Sequence, residues 1–73
     1  MEINKIKTGK RIGELMKRDS ITCKELALKL CLSQSAVKNY ISGNSIPKLE
    51  TLEQMVNIFH LRNIYDIIIW EKE

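Results

Sequence analysis

Seventy-three residues with twelve Lys/Arg against nine Asp/Glu make a small chain of net charge +3, enough for one domain with a complete but modest core. A hydrophobic share of 44% argues against disorder, and the absence of any run of about 18 apolar residues argues against a membrane-spanning helix. The N-terminus alternates apolar and basic residues without a signal-peptide pattern, so a cytosolic protein is expected, with no membrane partner.

The apolar spacing predicts an all-α chain of five helices over about 3–18, 22–30, 33–41, 48–59 and 63–70, forming one domain over 1–73. In the first, Ile12, Leu15 and Met16 give an i, i+3, i+4 stripe that Ile6 extends. Gly9 and Gly13 weaken this helix by about 1 kcal/mol each relative to Ala. The second opens on Thr22-Cys23-Lys24-Glu25, the pattern of a capping box, and turns Leu26, Ala27 and Leu30 inward. The third is capped by Ser33 and stopped by Gly43, with Val37, Tyr40 and Ile41 pointing in. The fourth carries Leu49, Leu52, Met55, Val56 and Phe59. In the fifth, Ile64, Ile67 and Ile68 make one apolar face, and Asn63 with Asp66 resembles a cap.

Residues 22–44 are the informative stretch. They read as two short helices joined by a tight turn, and the second is apolar behind and amide-rich in front. Its outer side holds Gln34, Ser35, Lys38 and Asn39, side chains suited to base edges and phosphates. Gln34 near the helix start can make bidentate hydrogen bonds to adenine. Asn39 lies about 140° round the helix from it and flanks the same groove face. Lys38 suits a phosphate or a guanine.

Charge follows the same division. Residues 1–48 hold ten Lys/Arg and four Asp/Glu, whereas residues 49–73 hold two and five. A basic half containing the two short helices is the footprint of a nucleic-acid binder. Lys24 and Lys48 flank the pair and suit phosphate neutralisation.

Cys23 and Cys31 are separated by about 12 Å along a helix, too far for a disulfide. With the distant His60 they make no credible zinc site. They read as buried or partly buried free thiols, with redox control through Cys23 as the alternative. His60 lacks any placed carboxylate or nucleophile, so no enzyme activity, cofactor or metal is expected.

These features together resemble the lambda-repressor/Cro-type (XRE) helix-turn-helix domains over about residues 9–69. The resemblance is carried by Gly9-Lys10-Arg11-Ile12, Thr22, Glu25-Leu26-Ala27, Leu32-Ser33-Gln34-Ser35 and Val37. It continues through Tyr40, Gly43, Pro47, Leu49-Glu50-Thr51-Leu52, Leu61, Ile64, Asp66 and Ile67. It implies a lambda-repressor-like fold and a transcriptional repressor that binds operator DNA as a two-fold dimer. It gives base reading to Gln34, Ser35 and Asn39, and phosphate contacts to Ser42 and Asn44. Ser33, Lys24 and Lys48 complete the expected phosphate set, and Cys23 stands where many members place a phosphate-binding Gln. Backbone N–H groups at the helix start can supply that contact instead.

Two further departures bear on the fold. Cys31 replaces the turn Gly, at a cost of about 1 kcal/mol if the turn stays left-handed. Ile41 replaces a Glu that pairs with the residue equivalent to Arg11, leaving Arg11 to Glu14 or to a DNA phosphate.

Tyr65, Ile69 and Trp70 are many large apolar groups for one side of a small chain. Either Trp70 folds back on the first helix or, the preferred reading, the three form a homodimer contact. Two other functions share the scaffold: an antitoxin that also docks a toxin, and a protein-interaction module without DNA binding. No small-molecule effector is expected.

Overall fold

The computed structural model describes residues 2–71, which hold four α-helices and one 3-10 turn. The helices are α1 (Lys5–Arg18), α2 (Cys23–Leu30), α3 (Gln34–Ser42) and α4 (Leu49–Ile58), followed by the 3-10 turn Ile64–Asp66.

Local chemistry accounts for the helix starts. Asn4 Oδ1 accepts from the Lys7 N–H at 2.9 Å and opens α1. At α2 the Thr22 hydroxyl accepts from the Glu25 N–H and the Glu25 carboxylate accepts from the Thr22 N–H, each at 3.1 Å, a complete capping box. Ser33 caps α3 by accepting from the Ala36 N–H at 3.1 Å.

All four helices stop in the same way. The residues Ser20, Cys31, Gly43 and His60 take positive φ values of 55°, 56°, 84° and 56°. Just beyond each, the N–H groups of Ile21, Leu32, Asn44 and Leu61 reach back to the carbonyls of Met16, Ala27, Asn39 and Val56. These are Schellman ends, in which a left-handed residue lets the next N–H cap an orphan carbonyl. In three of them the residue after the left-handed one is apolar, and Ile21, Leu32 and Leu61 pack against the core. That contact accompanies the motif and holds it at three places where no glycine is present.

The core is a single cluster fed by every element. Ile12 and Leu15 of α1, Leu26 of α2, Val37 of α3, Met55 of α4, and Phe59 and Ile67 beyond it are essentially sealed from solvent. Two residues of the expected stripes lie outside it. Ile6 is 62% and Leu49 59% exposed. Each sits in the first turn of its helix, and Ile6 meets only the end of α3 at Gly43.

The expected five-helix architecture is wrong at its last member, since residues 63–70 form no α-helix. Only the 3-10 turn Ile64–Asp66 is assigned as helix, and beyond a right-handed Ile67 the chain leads to an antiparallel bridge between Trp70 and Ile3. The apolar residues are there, but their backbone groups have better partners elsewhere. The Asn4 N–H donates to the Ile69 carbonyl and the Glu71 N–H to the Glu2 carbonyl, both at 2.7 Å. The Ile69 N–H donates to Thr8 Oγ1 at 3.0 Å. Arg11 Nε donates to the Asp66 carbonyl at 2.9 Å, closing the 3-10 turn. Three consecutive β-branched residues, Ile67, Ile68 and Ile69, lose little by leaving a helix. The same contacts settle Arg11, which pairs with neither Glu14 nor a side chain of α3.

Candidate nucleic-acid interface

α2 and α3 meet at their N-terminal ends, where the Cys23 thiol lies 4.0 Å from the Gln34 carbonyl. The left-handed Cys31 turns the chain between them and, against the expectation of an at least partly buried thiol, is exposed, because its neighbour Leu32 takes the place against the core. Behind this pair runs α1, which crosses α3 at Gly9. A β-carbon there would lie 2.5 Å from the Ile41 carbonyl oxygen and nearer still to that of Tyr40. The approach is backbone against backbone, so only glycine allows it. Gly43 has a similar constraint at the far end of α3, where its β-carbon would lie 2.9 Å from Ile6 Cα. The orientation of α3 is thus set by two glycines and by Ile41 resting on Gly13. By helix propensity alone Gly9 and Gly13 are weak points of α1. Their four-residue spacing was the signal that a second helix lies close.

On the outer side of α3 the residues Gln34, Ser35, Lys38, Asn39 and Ser42 are all exposed, while Val37 on the opposite side is fully buried. Asn44 is exposed just past the helix end, and Lys24, Ser33 and Lys48 are exposed around it. The outer side of α3 therefore carries amides, hydroxyls and one lysine, with no carboxylate.

Three members of this set already have internal partners. The Ser33 hydroxyl oxygen accepts the α3 capping bond, which leaves its proton to donate outward. Ser42 Oγ donates to the Asn39 carbonyl at 3.2 Å and must rotate before it can donate to anything else. Cys23 is half-buried with its thiol turned to Gln34, so what it offers outward is the start of α2. Next to it, the hydrogen bonds donated by Thr22 hold the Glu25 carboxyl below the usual carboxylate range.

Tyr65, Ile69 and Trp70 are not brought onto one helix side. Ile69 is tied to Thr8 and Asn4, and Trp70 pairs with Ile3 at 39% exposure. Tyr65 stands out at 66% exposure. Among the described residues no group of three or more His, Cys, Asp or Glu could hold a metal ion. None of the described helices is long and apolar enough to cross a membrane.

A family model described as helix-turn-helix matches residues 12–62, which include α2, α3, α4 and most of α1. The chain belongs to the helix-turn-helix family. This agrees with the resemblance to lambda-repressor/Cro-type domains, and the family's members of this kind are DNA-binding transcription regulators. Among solved structures, the helix-turn-helix chain is similar to the restriction-modification controller protein C.AhdI from Aeromonas hydrophila, with TM-score 0.76 and 19% identity over 85% of this chain and 92% of that one. It is also similar to a transcriptional regulator from Listeria innocua, with TM-score 0.82 and 22% identity. There the match covers 100% of this chain but only 64% of the Listeria chain. At these identities the likeness is one of fold. No curated protein matches the sequence.

Proposed function

We propose that this helix-turn-helix chain is a sequence-specific repressor that lays α3 in the major groove of operator DNA. In this reading Gln34, Ser35, Lys38 and Asn39 contact base edges. Lys24, Ser33, Ser42, Asn44, Lys48 and the α2 start at Cys23 hold phosphates. The observation that carries it is the exposed outer face of α3, amide- and lysine-bearing and free of carboxylates, on a helix whose back is sealed into the core. A major groove about 12 Å wide admits one such helix, and a Gln or Asn reading adenine discriminates by about 1–3 kcal/mol. The fold likeness to a restriction-modification controller and to a transcriptional regulator supports the regulatory half of the reading. Occupation of a promoter by the domain would itself repress, by excluding other proteins from the same DNA.

The basic amino-terminal half and the acidic remainder fit one DNA-facing and one outward-facing side. A two-fold homodimer would set two copies of α3 about 34–36 Å apart, one turn of duplex.

Fluorescence anisotropy tests the reading on palindromes from the promoter region of the chain's own gene, beside a scrambled duplex and at two salt concentrations. Tight wild-type binding that Gln34→Ala weakens only on the palindrome is the expected result. Equal and weak binding to every duplex would overturn it.

A further inference from the structure

One stripe of α1 lies against the later part of α3. Ile6 meets its end, where a β-carbon on Gly43 would lie 2.9 Å from Ile6 Cα, and Gly13 meets the Ile41 side chain. Lys10 follows Ile6 by four residues and precedes Gly13 by three, so the three share one side of α1. Lys10 is exposed. Its side chain therefore leaves α1 beside the last turns of α3, where Asn39, Ser42 and Asn44 are exposed too.

That end of α3 is short of positive charge. A helix C-terminus carries a partial negative charge that basic residues in the last turn offset. α1 has Lys17 and Arg18 there and α2 has Lys29, whereas α3 has none. Between Lys38 and Lys48 the chain holds no cation at all. Ser42, a neutral donor at this end, is already engaged with the Asn39 carbonyl. A phosphodiester passing here would meet a negative helix end and no charge from α3 or the loop after it. The start of α1 breaks the complementary rule. α2 and α4 place Glu25 and Glu50 in their first turns, where acids suit the positive helix end, but the first turn of α1 has no acid and carries Lys5 and Lys7. A local rule broken without local gain marks a functional surface.

We propose that Lys10 holds a phosphate of the duplex strand that passes the end of α3, so that α1 lends the cation which α3 and its following loop lack. Arg11 cannot serve, because its guanidinium is turned to the Asp66 carbonyl. Lys7 precedes Arg11 by four residues and shares its side of α1, toward the 3-10 turn. This rests on the DNA reading and adds to it a residue from outside the α2–α3 pair.

Fluorescence anisotropy over a salt series tests the contact with wild type, Lys10→Gln, Lys10→Arg and Lys7→Gln. The probes are a promoter palindrome of the chain's own gene and its scrambled duplex. Lys10 and Lys7 are exposed, and circular dichroism checks that each variant keeps its helices. Lys10→Gln should weaken binding to both duplexes and lower the slope of log affinity against log salt by about 0.9. Its deficit should then narrow about 3.5-fold as salt rises fourfold. Lys10→Arg should keep the wild-type slope. Lys7→Gln removes the same charge from the other side of α1 and should leave the slope unchanged. A wild-type slope in Lys10→Gln overturns the proposal. So does an equal loss in Lys7→Gln, which would make the effect one of net charge. Phosphate contacts are blind to sequence, so wild type that binds both duplexes equally overturns the operator reading while the Lys10 slope still decides the contact. Wild type that binds neither overturns both.

Discussion

Arg11 Nε donates to the backbone carbonyl of Asp66 at 2.9 Å, across 55 residues of sequence. The guanidinium thereby fastens the 3-10 turn, and not α3, to the middle of α1. Replacing Arg11 by Met keeps most of the apolar stem and removes the donor. A hydrogen bond from a charged group contributes about 1.5–3 kcal/mol. Arg11→Met should therefore lower the unfolding free energy extrapolated from urea denaturation by an amount in that range, and an unchanged value would show that the contact adds nothing.

Gly9 and Gly13 make opposite predictions although they sit in the same helix. A methyl at Gly9 meets the carbonyls of Tyr40 and Ile41, backbone that cannot rotate away. Gly9→Ala should destabilise by about 1–3 kcal/mol, as overpacking does. It should also displace α3 and weaken operator binding beyond what the lost stability explains. A methyl at Gly13 meets Ile41 Cγ2 at 3.6 Å, an ordinary contact. Gly13→Ala should raise the thermal midpoint, because Ala exceeds Gly in helix propensity by up to about 1 kcal/mol. Equal midpoints for the two variants would contradict the close crossing.

Cys31 and His60 end α2 and α4 in left-handed conformations, with φ of 56° at each, and both side chains are exposed. Little packing is lost when either is replaced. Cys31→Gly and His60→Gly should each stabilise by about 1 kcal/mol, the cost a β-carbon bears in that region. Chemical denaturation of the two single variants and the double would check this. The gains should add, since the two turns close different helices.

Acid should unfold the chain through two carboxylates at helix ends. Hydrogen bonds from Thr22 depress the Glu25 carboxyl, and hydrogen bonds from Arg18 depress that of Asp19. A depressed folded value means that the unfolded state binds protons first. The stabilisation is therefore complete above the unfolded value, about 4, and disappears as pH falls through the lower folded one. Thermal midpoints should hold steady from neutral pH to about 5 and fall below it. Glu25→Gln should be less stable near neutrality and show a shallower fall. A parallel curve for Glu25→Gln would remove the capping carboxylate from the explanation.

Lys24 and Lys48 are expected to act on phosphates. Changing either to Gln should weaken binding to all duplexes alike and reduce the slope of log affinity against log salt by about one. A loss confined to the palindrome would instead make the residue a base reader.

The sequence by itself determined the four helices, the caps at Thr22 and Ser33, the buried stripe and the polar face of α3. These depend on contacts between residues a few places apart, as with Thr22 and Glu25 or Ser33 and Ala36. The turn at Cys31 was legible too, although its left-handed geometry depends on Leu32 reaching the core. Tertiary structure decided the fate of residues 63–71. The apolar pattern of Ile64, Ile67 and Ile68 satisfies a helix, and Ile67 and Ile68 are buried as such a pattern demands. No local rule shows that Glu2, Asn4, Thr8 and Arg11 stand ready to take up the backbone groups of Asp66, Ile69 and Glu71. Those bonds span more than fifty residues, and they exist only once α1 is folded and its side chains are fixed. Burial can be read from apolar spacing. Which backbone partner wins is a competition between distant segments, and only the assembled chain decides it.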